Sequence, residues 1–135
     1  RPAGVVLMSP WTDLTGSGAS LVRNAAVDPL LPAARFADLV GFALGDHPRD
    51  DPRVSPLFAA HAGAPPVLIQ HSGTEILADD STRLAARLRD QGVAVTLGVW
   101  PDAPHAWPVL APRLPESQAA IAQAAGFLRD CLSPR

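Results

Sequence analysis

Residues 66–107 decide the fold. They open Pro66-Val67-Leu68-Ile69-Gln70-His71-Ser72-Gly73-Thr74-Glu75-Ile76-Leu77-Ala78-Asp79-Asp80 and close Val93-Ala94-Val95-Thr96-Leu97-Gly98-Val99-Trp100-Pro101-Asp102-Ala103-Pro104-His105-Ala106-Trp107. Val67 to Gln70 is a short apolar, partly β-branched run behind two prolines, the pattern of a buried parallel strand. A polar turn with three carboxylates follows. Asp79, Asp80 or Ser81 can then cap a helix whose apolar positions Leu84, Ala85 and Leu88 recur at helical spacing. Gly92 ends that helix. Residues 93–100 alternate and are rich in β-branched side chains, so a second strand is predicted. A proline-stiffened loop then carries His105. Strand–helix–strand of this length is a right-handed βαβ unit. Its two polar loops fall at the carboxyl end of the sheet, where open α/β sheets place their chemistry.

Outward from this unit, Gly4 to Ser9 is another continuous apolar run, and the strands are expected at 4–9, 67–71 and 93–100. A short helix is expected from Ser20 to Ala26, before Asp28-Pro29 turns the chain. Pro32 to Leu44 predicts an amphipathic helix with Phe36, Leu39, Val40 and Ala43 on its stripe and Phe42 and Leu44 widening it. Pro115 to Leu132 predicts a last helix with Ile121, Ala124, Ala125, Leu128 and Leu132 on one face.

At 135 residues, 47% hydrophobic and 18% charged, the chain is globular and at most one domain. A net charge of −2 gives no electrostatic case for nucleic acid or an anionic membrane. No apolar run approaches the roughly 20 residues of a membrane span. The single cysteine, Cys131, excludes an internal disulfide and fits a reducing, cytoplasmic compartment; it is expected as a buried, inert thiol. Asp13 reads as an Asx-type turn. His47 with Asp46, Asp50 and Asp51 matches no metal-ligand spacing. Arg53 is expected to pair with a nearby carboxylate, and His61 to be solvated. No cofactor or metal is implied.

Four segments together resemble a known family. They are Ser9-Pro10-Trp11-Thr12-Asp13-Leu14, Asp51-Pro52-Arg53-Val54-Ser55-Pro56-Leu57, Glu75-Ile-Leu-Ala-Asp-Asp-Ser-Thr-Arg-Leu-Ala, and Val95 through His105. In this order they are similar to the C-terminal half of the hormone-sensitive-lipase-like esterases, serine hydrolases of the α/β-hydrolase fold. The resemblance implies fold class α/β, a partial α/β-hydrolase fold holding the last strands of a mostly parallel sheet with flanking helices. Residues 1–135 would then be the C-terminal portion of a single hydrolase domain. The resemblance places Glu75 at the triad-acid position and His105 at the general-base position, 30 residues apart without a gap. The chemistry needs such a pair. A histidine removes the serine proton, and a carboxylate fixes its tautomer and steadies the imidazolium.

Asp79 and Asp80 compete for the acid role and read instead as helix-cap and dipole partners. His71 is the rival base, its place at a strand end suiting structural duty. Trp100 and Trp107 are expected to pack the histidine loop. The family also implies that the segment 32–44 belongs to a lid over an acyl pocket; ordinary core packing serves equally as a reading.

A Gly-x-Ser-x-Gly elbow and an HGGG-type oxyanion loop are missing, since Ser17, Ser20 and Ser72 lack flanking glycines at the required places. The nucleophile is therefore expected before Arg1. The implied function is carboxylic ester hydrolysis on short-to-medium acyl esters, with a small-molecule ester as partner and a homodimer formed through strand 93–100. The chain by itself is expected to be inactive and, with the first strand's edge open, poorly soluble. The alternative is a non-catalytic hydrolase-like module that binds a ligand or partner.

Overall fold

A computed structural model describes residues 2–133. Its centre is a parallel sheet of three strands in the order β1 (Val5–Met8), β2 (Val67–Ser72), β3 (Val95–Trp100). Val5 faces Val67, and Val67 faces Val95. All six residues of β2 are buried, which is why that strand shows no polar alternation. β1 and β3 are the edges and are only partly covered. The expected strands stand where the sequence put them: β1 is a residue shorter at each end, β3 starts two residues later, and β2 runs one residue further, to Ser72.

Two helices sandwich the sheet. α3 (Ala78–Asp90) lays Leu84, Ala85 and Leu88 on Val67, Ile69 and Val93, with Leu57 completing this layer. Gly92 takes φ +77° just beyond its end, a left-handed turn that glycine adopts without steric cost. On the opposite face lies α4 (Pro115–Leu132), where Trp107 and Ala103 pack on Ala120, with Trp100 alongside. Gln70 also points to this side, donating from Nε2 to the Ala120 carbonyl (2.9 Å) and to Gln123 Oε1 (2.7 Å).

The buried face of α4 departs from expectation. Ser117, Ala120 and Ala124 face the sheet, whereas Ile121 is 42% exposed and Leu132 71% exposed. These small residues meet the turn at Trp107: Ala120 packs on Ala103 and Trp107, and Ser117 Oγ donates to the Trp107 carbonyl, which leaves the larger Ile121 and Leu132 on the outer side.

Between β1 and β2 run α1 (Ser20–Arg23), a 3-10 turn at Ala33–Arg35 and α2 (Phe36–Leu44). The predicted helix 32–44 is thus a 3-10 turn followed by an α-helix, and 20–26 is a single turn. Of the α2 stripe only Phe36 and Val40 are buried; Phe42 is 84% exposed.

Cys131 is half-buried against Gly4. Among the described residues no helix is long and apolar enough to cross a membrane.

Candidate active site

Both loops that leave the carboxyl ends of β2 and β3 are tied together before any functional side chain is considered. The Gly73 N–H donates to the Trp100 carbonyl at 2.7 Å, and Thr74 Oγ1 donates to the Ala103 carbonyl at 3.3 Å. Glycine at 73 suits this close approach, since a Cβ there would stand 3.1 Å from the Pro101 carbonyl oxygen. The zipped loops bring Glu75 and His105 into contact. His105 Nδ1 donates to Glu75 Oε2 at 2.8 Å, and the Ser72 N–H donates to Glu75 Oε1 at 3.0 Å. Glu75 is fully buried and the His105 side chain is one-fifth exposed. A desolvated carboxylate with both oxygens engaged holds one imidazole tautomer and leaves Nε2 free to exchange a proton.

His105 opens onto an apolar cleft of about 120 Å³ lined by Ser9, Trp11, Phe36, Leu39, Ile76 and Leu77, with Leu31 and Pro32 at its side. Trp11 and Phe36 form one wall as a tilted aromatic pair with centroids 5.0 Å apart. Phe36 and Leu39 of α2 therefore serve both readings of that helix, packing and roofing.

Asp79 and Asp80 do not cap α3, which has no side-chain N-cap; both lie in its first turn, where the helix dipole favours them. Each has a distant partner instead. Asp79 accepts the Ser20 N–H (3.0 Å) and pairs with Arg23 (2.8 Å). Burial pushes its carboxyl up, but Arg23 and the Ser20 N–H outweigh this and leave it below the usual range. Asp80 Oδ2 accepts the N–H groups of Thr12 (2.7 Å) and Asp13 (2.8 Å), fastening the loop after β1 to α3. Burial dominates there and raises Asp80 to about 6, with the nearby Asp13 charge adding to the rise.

Asp13 forms the expected Asx turn, its Oδ1 accepting the Thr15 N–H at 2.9 Å. It also takes hydrogen bonds from Ser17 (2.6 Å) and Arg83 (2.8 Å). Burial works against its ionisation, yet Ser17, Thr15 and Arg83 together hold it below the usual carboxylate range.

His71, the rival base, is buried near the end of β2. Its Nδ1 donates to the Ser72 carbonyl at 2.9 Å, and it does not line the cleft. Trp107 is fully buried and stacks at a tilt on Trp100, 4.9 Å between centroids, which supports the histidine loop from behind. His61, expected in solvent, is half-buried and donates from Nε2 to the Pro56 carbonyl at 2.8 Å. Arg53 pairs with Asp51, which also accepts from His47 at 2.9 Å; the Arg53 hydrogen bonds hold Asp51 far below the usual range. Among the described residues no group of three or more His, Cys, Asp or Glu is placed to hold a metal.

Three side chains to which the sequence assigned no part in the site clamp the acid loop. Asn24 Nδ2 donates to the carbonyls of Gly73 (2.9 Å) and Glu75 (2.8 Å). Asp28 Oδ2 accepts the Ile76 N–H at 2.8 Å, and Ser20 Oγ donates to the Ile76 carbonyl at 2.6 Å. Their only local signal was the Asp28-Pro29 turn. Partners some 50 residues distant leave no periodic trace.

Parallel strands whose carboxyl-end loops join a buried carboxylate to a histidine define the class of α/β hydrolases. A family model described as the alpha/beta hydrolase fold matches residues 1–109. The chain belongs to this family. It is 38% identical over 129 residues to an acetyl-hydrolase of Streptomyces hygroscopicus, covering 95% of this chain and 43% of that protein. An esterase of Acinetobacter venetianus is 38% identical over 133 residues, covering 93% of this chain and 42% of that protein. The crystal structure of an esterase from the bacterial hormone-sensitive lipase family superposes with a TM-score of 0.94 at 40% identity, covering 98% of this chain and 44% of that one. The chain thus spans less than half the length of these relatives.

Proposed function

We propose that this chain supplies the acid and the general base of a Ser-His-Glu triad in a carboxylic ester hydrolase. The observation that carries the reading is the 2.8 Å bond between fully buried Glu75 and cleft-lining His105. The naming of similar proteins as esterases and an acetyl-hydrolase supports it. The nucleophile belongs to a segment additional to these 135 residues, because no Gly-x-Ser-x-Gly occurs within them. Residues 1–135 form the C-terminal portion of one hydrolase domain in this reading.

His105 Nε2 takes the proton of the serine hydroxyl as its oxygen bonds to the ester carbonyl carbon. The same proton then passes to the departing alcohol, leaving an acyl-enzyme, and His105 activates water for the second half. Glu75 stabilises the imidazolium at each stage and keeps its carboxylate ionised. A cleft of about 120 Å³ with apolar walls suits short-to-medium acyl groups. The edge position of β3 suits pairing of two copies of the whole protein across that strand. A cytoplasmic location goes with the lone cysteine.

The test is hydrolysis of p-nitrophenyl acetate and butyrate by the full product of the gene encoding this chain, beside its Glu75→Gln and His105→Ala variants and this chain alone. Loss of about a thousandfold or more in kcat for both variants, with the chain alone silent, is the expected result. Activity indifferent to Glu75→Gln would remove Glu75 from the acid role. A folded full-length protein inert on every ester would favour a hydrolase-like binding module, the reading to which the missing elbow within this chain otherwise points.

A further inference from the structure

Ser9 and Ala106 are the two non-glycine residues with positive φ among the described residues, at 47° and 53°. Neither residue type favours that conformation, so local preference did not put them there. They are bonded to each other. Ser9 Oγ accepts the Ala106 N–H at 3.0 Å, across 97 residues of sequence. Strained backbone persists only where its surroundings over-determine it, and it gathers at functional sites.

The surroundings here are specific. The Ser9 N–H donates to the Gln70 carbonyl at 2.7 Å, which extends the β1–β2 ladder one residue beyond β1. Ser9 is therefore held by the sheet, and its left-handed φ turns the chain out of it. Its side chain is buried and borders the cleft into which His105 opens. Ala106 directly follows His105. The histidine is consequently fixed at two points, its ring by Glu75 and its backbone, one residue on, by Ser9.

We propose that Ser9 is a positioning residue for His105, its Oγ holding the Ala106 peptide so that the imidazole bonded to Glu75 keeps Nε2 aimed into the cleft. A single bond at Nδ1 leaves the ring free to swing about that contact. Anchoring the peptide behind it removes this freedom. Displacement of a catalytic group by about 1 Å costs about a hundredfold in rate. The proposal rests on the general-base reading of His105, although the geometry it concerns exists whatever the reaction.

The experiment uses the full-length protein with Ser9→Ala, which keeps the Cβ and removes the acceptor, and Ser9→Gly, which also relieves the backbone strain. Four quantities are read: kcat and KM on p-nitrophenyl butyrate, the low-field proton resonance of His105 Nδ1–H, and the melting temperature. The expected result is a kcat about 10- to 100-fold lower in both variants with KM held within about threefold. The resonance should shift or broaden, while the Gly variant melts within a few degrees of the parent. Parental kcat with an unmoved resonance in the Gly variant overturns the proposal. So does loss of activity carried by KM alone, which would make Ser9 a wall of the cleft. Unfolding of both variants overturns it as well, since the role would then be structural. If the parent hydrolyses no ester, the triad reading fails, and the resonance in the folded variants decides the Ser9 proposal by itself.

Discussion

Asn24 and Glu75 are 51 residues apart in the chain, yet the Asn24 Nδ2 donates to the Glu75 backbone carbonyl at 2.8 Å in a buried contact. The same nitrogen serves the Gly73 carbonyl at 2.9 Å, so one amide satisfies the backbone on both sides of residue 74. Asn24→Leu would leave two carbonyls without that donor, each worth about 1 kcal/mol or more when buried. The expected outcome is a loss of about 2 kcal/mol in urea unfolding. Asn24→Asp, similar in shape but unable to donate when ionised, should be no better.

Asp80 titrates at about 6 because burial disfavours its charge. Its folded value lies above its unfolded one, so the native state binds more protons between about pH 4 and 6. The stability it contributes is complete at the low end of that window and is lost as pH rises through 6. In Asp80→Asn the amide oxygen can accept the Thr12 and Asp13 N–H groups that Oδ2 accepts, without titrating. Unfolding free energies measured from pH 4 to 7.5 should therefore fall in the parent by on the order of 2 kcal/mol relative to the variant. Parallel curves would contradict this.

Asp13 and Asp79 have the opposite sign. Their carboxyls are held below the ordinary range, so what they contribute is present above about pH 4 and lost as pH falls through their folded values. Arg83→Met removes the guanidinium from the buried Asp13 carboxylate. The Arg83 side chain is itself partly exposed, which limits the expected loss to about 1–2 kcal/mol at pH 7. The difference between parent and variant should shrink as pH falls through the folded values of Asp13, whose charge is then lost in both. Acid titration of stability in the two proteins checks it.

Gly98→Ala tests the packing of the Trp100 indole and the Gln123 amide over β3. The added Cβ would lie 2.8 Å from Trp100 Cζ3 and 2.9 Å from Gln123 Oε1, and Gln123 is also the acceptor for Gln70. Both the indole and the amide must move. The expected cost is about 1–3 kcal/mol in thermal unfolding. A companion Gln123→Ala should reduce it, because it removes one of the two obstructing groups; a double-mutant cycle reads the coupling.

The sequence by itself determined the elements and their order. Val67 to Gln70 read as a buried strand, Gly92 ended α3, and 30 residues separated Glu75 from His105 at loops that a parallel sheet places at one end. Those features are local, set by apolar period, β-branching and backbone freedom, and they survive without knowledge of the partner. Tertiary structure decided which faces are buried and whom the polar groups serve. Period alone favoured Ile121, Ala124, Ala125, Leu128 and Leu132 on α4, but of these only Ala124 is buried, alongside Ser117 and Ala120, which meet the turn at Trp107. Asp79 and Asp80 suited caps by local preference, yet their carboxylates meet the α1 region and the loop after β1. His61 looked solvated until the Pro56 carbonyl came beside it. The left-handed Ser9 contradicts its own residue preference, because Gln70 on one side and Ala106 on the other fix it. A hydrogen bond between groups fifty or a hundred residues apart depends on where the packed sheet brings them, and no pattern within either segment encodes that distance.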